Sequence, residues 1–249
     1  MTQRILILGG TTESRLLAER LAGLGSAVTL SLAGRTVNPA PQPVPVRSGG
    51  FGGAAGLARY LVEEGVDLLF DATHPYAAQI SANAAAAAAA TGVRALALVR
   101  PPWRKAAGDR WTEVAGVEDA VAALGNAPRR VFLTLGRNEV QAFNAAPQHR
   151  YLLRSVDPIE PRLAVADAVY LTRRGPFEQA DECRLLETHG IDAVVAKNSG
   201  GSATYGKIAA ARALGIEVIL LRRPPPSGLP AVADLDEAVA AVAHRPAPA

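Results

Sequence analysis

A single cysteine, Cys183, leaves the 249-residue chain without a disulfide partner or a thiolate set for zinc. The four histidines, at positions 74, 149, 189 and 244, are too scattered to form a metal-ligand spacing. No run approaches the roughly 18 consecutive apolar residues of a membrane-spanning helix; the alanine tract at 84–90 is short and sits in an amphipathic pattern. The first residues enter a strand directly, without a charged n-region and cleavage site, so the expected compartment is the cytoplasm and no membrane partner is expected. Lysine is scarce as well. Lys105, Lys197 and Lys207 are the only lysines among 26 basic residues, and two of them flank one glycine-rich segment. The net charge of +3 suits an acidic small ligand, but no basic stripe carries interleaved aromatics, so no nucleic-acid partner is expected. No apolar interface stripe is evident either, which favours a monomer.

The apolar periodicity that is present alternates between strand and helix. Strands are predicted over 4–8, 27–32, 44–46, 67–71 and 94–99, with helices over 12–24, 54–64 and 76–91. After Arg100-Pro101-Pro102-Trp103 the pattern restarts. Helices are predicted over 117–124, 138–144, 177–189 and 203–214, and strands near 131–135, 151–154, 168–172, 192–196 and 217–221. Such alternation implies an α/β protein made of two Rossmann-like, doubly wound parallel-sheet domains with a cleft between them. The expected division is 1–115 and 116–249, with a last helix at 234–243 that could pack on either half.

Three βα turns carry polar residues in excess of structural need. The first is Gly9-Gly10-Thr11-Thr12, whose glycines admit a pyrophosphate to the backbone and whose helix start attracts its charge. Read blandly, the same turn only closes a tight corner. The second is Asp71-Ala72-Thr73-His74-Pro75-Tyr76, where a carboxylate, a hydroxyl, an imidazole and a phenol share one strand-to-helix turn. A capped, proline-stiffened turn would need only one of them. The third, Lys197-Asn198-Ser199-Gly200-Gly201, reads as an anion nest or as a structural glycine loop, and it lacks the P-loop order.

Cofactor choice shows at the end of the second strand. NAD sites place an acid there and NADP sites an arginine; here Ser31-Leu32-Ala33-Gly34-Arg35 has no acid and one arginine, which favours NADPH unless Arg35 is a solvated loop residue. The loop Gly49 to Gly53, including Gly50 and Gly52, adds backbone suited to cofactor contact or to a hinge.

Taken in order, ILILGGTTES, FDATHPYAAQISANA, VFLTLGRNE and AKNSGGSATYGKIAAARALGIEVILLRRPP cover nearly the whole chain and resemble the precorrin-6A reductase family of cobalamin biosynthesis. The resemblance implies NADPH-dependent reduction of one double bond in a ring-contracted tetrapyrrole, precorrin-6A, and transient contact with neighbouring pathway enzymes. It leaves open whether the macrocycle carries cobalt. On this reading Gly9, Gly10, Thr11 and Thr12 cradle the pyrophosphate, Arg35 reads the 2′-phosphate, and Gly49, Gly50, Gly52 and Thr73 line the cofactor. Asp71, His74 and Tyr76 face the reacting centre, with His74 or Tyr76 as proton donor. Arg137, Lys197, Asn198, Ser199, Gly200 and Gly201 meet the macrocycle, whose carboxylates also suit Arg100, Arg104, Arg173 and Arg174 at predicted strand ends. Two rival readings are a two-domain binding protein for a small ligand and a nucleotide-sugar type transferase on the same superfold.

Overall fold

The computed structural model describes residues 2–34 and 40–243. The chain divides into two compact units, the first made of 1–101 with 224–249 and the second of 102–223.

In the first unit, β1 (Arg4–Leu8), β2 (Ala27–Leu32), β3 (Val46–Ser48), β4 (Leu68–Asp71) and β5 (Arg94–Leu98) alternate with α1 (Thr12–Gly23), α2 (Gly53–Glu63) and α3 (Ala78–Thr91). Alternate side chains of the same strands go to opposite faces. Ile5, Ile7, Leu30, Phe70 and Leu96 pack with Leu17 and Leu21 of α1, while Leu6, Leu8 and Leu69 pack with Leu57 and Leu61 of α2 and Ala84 and Ala87 of α3. Both faces being covered is what a parallel sheet requires.

The second unit repeats the plan. It contains β6 (Arg110–Val114), α4 (Val117–Ala123), β7 (Arg130–Thr134), a 3-10 helix (Val140–Ala145), β8 (Arg150–Ser155), β9 (Ala168–Thr172), α5 (Gln179–Thr188), β10 (Ala193–Lys197), α6 (Gly206–Ala213) and β11 (Glu217–Leu221). The chain then re-enters the first unit as β12 (Ala231–Val232) and α7 (Leu235–Ala243). Each sheet has six parallel strands, ordered β3-β2-β1-β4-β5-β12 and β9-β8-β7-β10-β11-β6. The first is the dinucleotide-fold order with β12 in sixth place. In the second, the sixth place belongs to a strand that precedes the other five.

Two expectations are corrected here, and the placing of the last helix, left open by the sequence, is decided. The division does not fall at 115/116, because β6 pairs along its whole length with β11 and buries Trp111 in the second core. The last helix packs in the first unit: Ala238 is fully buried there, and Arg94 Nη2 donates to the Ala241 carbonyl at 2.8 Å. The segment expected as a helix over 138–144 is the 3-10 helix Val140–Ala145, stopped ahead of Pro147. Among the described residues, no helix is long and apolar enough to cross a membrane.

Terminating the chain after Arg223 removes β12 and α7 together. Leu235, Ala238, Val239 and Val242 leave the first core, at a cost of several kcal/mol, comparable with the ~5–15 kcal/mol that holds a domain folded. Urea unfolding is expected to show loss of the first unit's transition and retention of the second's.

Candidate active site

Ligands bind open α/β sheets outside the carboxyl ends of the strands, where the strand order reverses. In the first unit that place lies between β1 and β4. Gly9 follows β1 because there is no room for more: a Cβ there would lie 2.6 Å from Leu30 Cδ1 and 2.9 Å from Ser14 Oγ. Gly10 turns the chain with φ +116°, and the space beside it is open. Thr11 then caps α1, its hydroxyl accepting from the Ser14 amide at 3.0 Å, and the same hydroxyl donates to the Ala72 carbonyl at 2.9 Å. The first and second predicted turns are thus tied together at the switch point. The buried Ser14 hydroxyl takes up the amides of Gly10 and Thr11 at 3.2 and 3.1 Å. Thr12 and Glu13 supply the remaining donors of the helix start. Arg100, at the end of β5, forms an ion pair with Glu13.

In the second turn, the buried Asp71 carboxylate accepts from the Thr73 amide at 3.1 Å and the Thr73 hydroxyl at 2.6 Å, closing an Asx-type turn. The Tyr76 amide donates to His74 Nδ1 at 3.3 Å. An amide can only donate, so a neutral His74 carries its proton on Nε2. The two rings stand 5.6 Å apart, both half-buried.

The glycine loop after β3 lies at the same edge, bound by the Gly49 amide to the Leu32 carbonyl at the end of β2. Gly49, Gly50, Gly52 and Gly53 have open space where a Cβ would stand, a cradle that a flat or phosphorylated ligand can approach closely. The sequence reading missed its fastener. Arg47 donates to the carbonyls of Gly49 and Gly50 at 2.5 and 2.8 Å and lies 3.7 Å over the Phe51 ring. An arginine two residues before a glycine-rich loop that contains an aromatic was the available signal. Arg35 lies in 35–39, outside the described residues.

The second unit's reversal lies between β7 and β10. Lys197, at the end of β10, pairs at 2.6 Å with Glu139 from the turn after β7, and Glu139 also accepts from the Gly136 amide at 2.7 Å. Arg137 is half-buried in that turn. A ligand carboxylate approaching Lys197 therefore competes with Glu139. Asn198 is 8% exposed and spends both ends of its side chain on Trp103, accepting from its amide at 2.8 Å and donating to its carbonyl at 3.0 Å. The Ser199 amide donates to the Lys197 carbonyl at 2.8 Å, and Gly200 and Gly201 follow, both with φ +69°. Arg104, Arg173 and Arg174 are exposed.

The site residues of the first unit thus converge on one edge, and those of the second unit on the equivalent edge of the other sheet. The comparisons agree with this duplicated plan. The family model for precorrin-6x reductase CbiJ/CobK matches residues 4–243. A Sinorhizobium protein named precorrin-6A reductase is 58% identical over 247 residues, covering 99% of this chain and 95% of its own. A Priestia megaterium protein named cobalt-precorrin-6A reductase is 28% identical over 234 residues, covering 88% and 90%. The solved structure of a CobK precorrin-6A reductase superposes with a TM-score of 0.93 at 50% identity, covering 97% of this chain and 96% of that one. With the family model matched from β1 through α7 and the fold shared at that level, the chain belongs to the precorrin-6x reductase CbiJ/CobK family.

Proposed function

We propose that the protein reduces precorrin-6A to precorrin-6B with NADPH, adding hydride and a proton across one double bond of the macrocycle. The observation that carries this reading is the meeting of the Gly9–Thr11 turn and the Asp71–Tyr76 turn at the first sheet's reversal, joined through Thr11 and Ala72. A phosphate-binding turn and a proton-donating turn are thereby held side by side. The higher identity to the relative named for the metal-free substrate, 58% against 28% for the cobalt form, supports precorrin-6A itself.

The residues present fit a dinucleotide. Open space over Gly10 and over the glycines of the 49–53 loop lets the backbone approach a ligand, and the amides of Thr12 and Glu13 meet the pyrophosphate at the start of α1. Arg100 neutralises the Glu13 carboxylate beside that anion. Arg35 binds the 2′-phosphate, and Thr73 lines the site. When bound, the nicotinamide supplies the hydride. Asp71 fixes the turn from which His74 projects; protonated to the imidazolium, His74 delivers a proton from Nε2 to the neighbouring carbon and is reprotonated from solvent, while the Tyr76 amide orders the ring in its neutral form. In the second unit Arg137, Lys197, Ser199, Gly200 and Gly201 bind the acetate and propionate groups, Glu139 yielding Lys197 to the substrate. Asn198 holds this loop against Trp103.

The cofactor assignment is tested by thermal shift. NADPH is expected to stabilise the protein, by ~2.7 kcal/mol at about 100 times its Kd, with NADH weaker and the preference lost in Arg35→Ala. No shift with either dinucleotide overturns the assignment. The donor is tested by kinetics with precorrin-6A: His74→Ala is expected to lower kcat by ~10²-fold or more, and Tyr76→Phe, which keeps the backbone amide, by much less. Near-normal turnover in both variants makes water the donor.

A further inference from the structure

Lys207 is 4% exposed, and nothing in the mechanism above uses it. Its Nζ donates to the Thr204 carbonyl at 2.7 Å and stands 5.0 Å from the centre of the Trp103 ring. The Trp103 indole N–H donates to the Gly201 carbonyl at 2.8 Å, and the Phe177 amide donates to the Ala203 carbonyl at 3.1 Å. Three carbonyls of the loop after β10 are therefore taken by donors from other segments of the second unit. In a trans peptide the carbonyl and the following N–H point to opposite sides. Holding the carbonyls of Gly201 and Ala203 turns the amides of Ser202 and Thr204 the other way, in a stretch where Gly201 and Ser202 are exposed residues, while the Thr204 carbonyl held by Lys207 precedes the Tyr205 amide, which closes the turn onto the Ser202 carbonyl at 3.0 Å.

We propose that Lys207 is a positioning residue for substrate binding: with the Trp103 indole and the Phe177 amide it fixes the 201–204 backbone so that the amides of Ser202 and Thr204 receive a carboxylate of the macrocycle. This rests on the reading that the loop beginning at Lys197 binds the substrate's acidic groups. A methionine or leucine would fill the same volume, but neither could donate to Thr204. Arginine is the chain's habitual cation, yet one of its only three lysines stands here.

Lys207 also senses charge. Burial above all, aided by Arg154 and opposed by Glu182, pushes its ammonium down to about 7. Arg154 on β8 and Glu182 on α5 are paired with each other, so the balance around Lys207 is open to change by a neighbouring ligand. An anion seated on the loop favours the protonated amine. Binding then takes up a proton near neutrality, and affinity falls as pH rises through that range.

The test is calorimetric titration of the full chain with coproporphyrin, a propionate-edged tetrapyrrole, at about pH 6 and about pH 8, on either side of the shifted lysine. The original protein, Lys207→Met and Trp103→Phe are compared. Lys207→Met is expected to bind about tenfold more weakly at the lower pH, as the loop loses the charge-assisted bond that holds the Thr204 carbonyl, and to lose the part of the pH dependence that Lys207 supplies. Trp103→Phe keeps a ring without the N–H; it is expected to weaken binding while retaining that pH dependence. Equal affinities for the original protein and Lys207→Met at both pH values overturn the proposal, as does absence of porphyrin binding by the original protein. If Lys207→Met does not fold, titrations of the original protein in two buffers of different ionisation heat decide: proton uptake on binding supports the proposal, and none overturns it. NADPH oxidation with precorrin-6A is scored separately, so failure of the reductase reading and failure of the Lys207 assignment give different results.

Discussion

One oxygen, Thr11 Oγ1, accepts from the Ser14 amide and donates to the Ala72 carbonyl where the winding of the first sheet reverses. The start of α1 and the turn after β4 are thereby set against each other, and the positions of Asp71, Thr73 and His74 follow from that tie. It also spends the donors of the turn. Ser14, buried behind it, takes the amides of Gly10 and Thr11, so the donors left at the helix start are those one step further along. A third glycine in place of Thr11 would leave both the Ser14 amide and the Ala72 carbonyl without this partner, each a buried polar group left to find another. The departure from the usual glycine fingerprint is thus part of how the two turns are joined.

The second sheet reverses at the corresponding place and closes it with charge instead of a hydroxyl. Lys197 and Glu139 join the turns after β10 and β7 as a partly buried ion pair. The buried pair Arg154–Glu182 is of another kind. Its guanidinium lies over the rings of Phe132 and Phe177 and both side chains are buried, so separating the partners would leave a charge without compensation. One sheet plan therefore carries a neutral junction in the first unit and an ionic one in the second.

Most strands of this fold could be read from the sequence because a parallel sheet buried on both faces demands continuous apolar runs, as in Ile5 to Leu8 or Val194 to Ala196. The strands that were missed lie at the edges. Arg110–Val114 presents only Trp111 and Val114 to the interior and is otherwise polar, while Ala231–Val232 is two residues long. Neither produces a run. Sheet membership was hidden for a further reason: local periodicity carries no information on which sheet a strand joins, so the double passage between units left no trace in it. At the site, clusters of unusual residues stood out, whereas residues acting from behind did not. Ser14 is one more small helical residue, Trp103 follows a pair of prolines, and Glu139 is an acid near a glycine; each gains its meaning only from a partner far along the chain or across a turn. Lysine scarcity was the exception, since it marked position 207 before any contact was visible.

The first unit is assembled from both ends of the chain, and the ribosome makes this an ordering constraint. The second unit is complete once Arg223 has emerged, but the first must wait, five strands long, until β12 and α7 arrive after the whole of the second has been made. During that interval β5 is an open edge, with its backbone donors and acceptors available to any other extended chain. Arg94, which later holds the Ala241 carbonyl, is at that stage a charge on the unprotected edge, the kind of residue that discourages intermolecular pairing. Its two roles are successive, first guarding the vacant sixth position and then fastening the helix that follows the strand filling it.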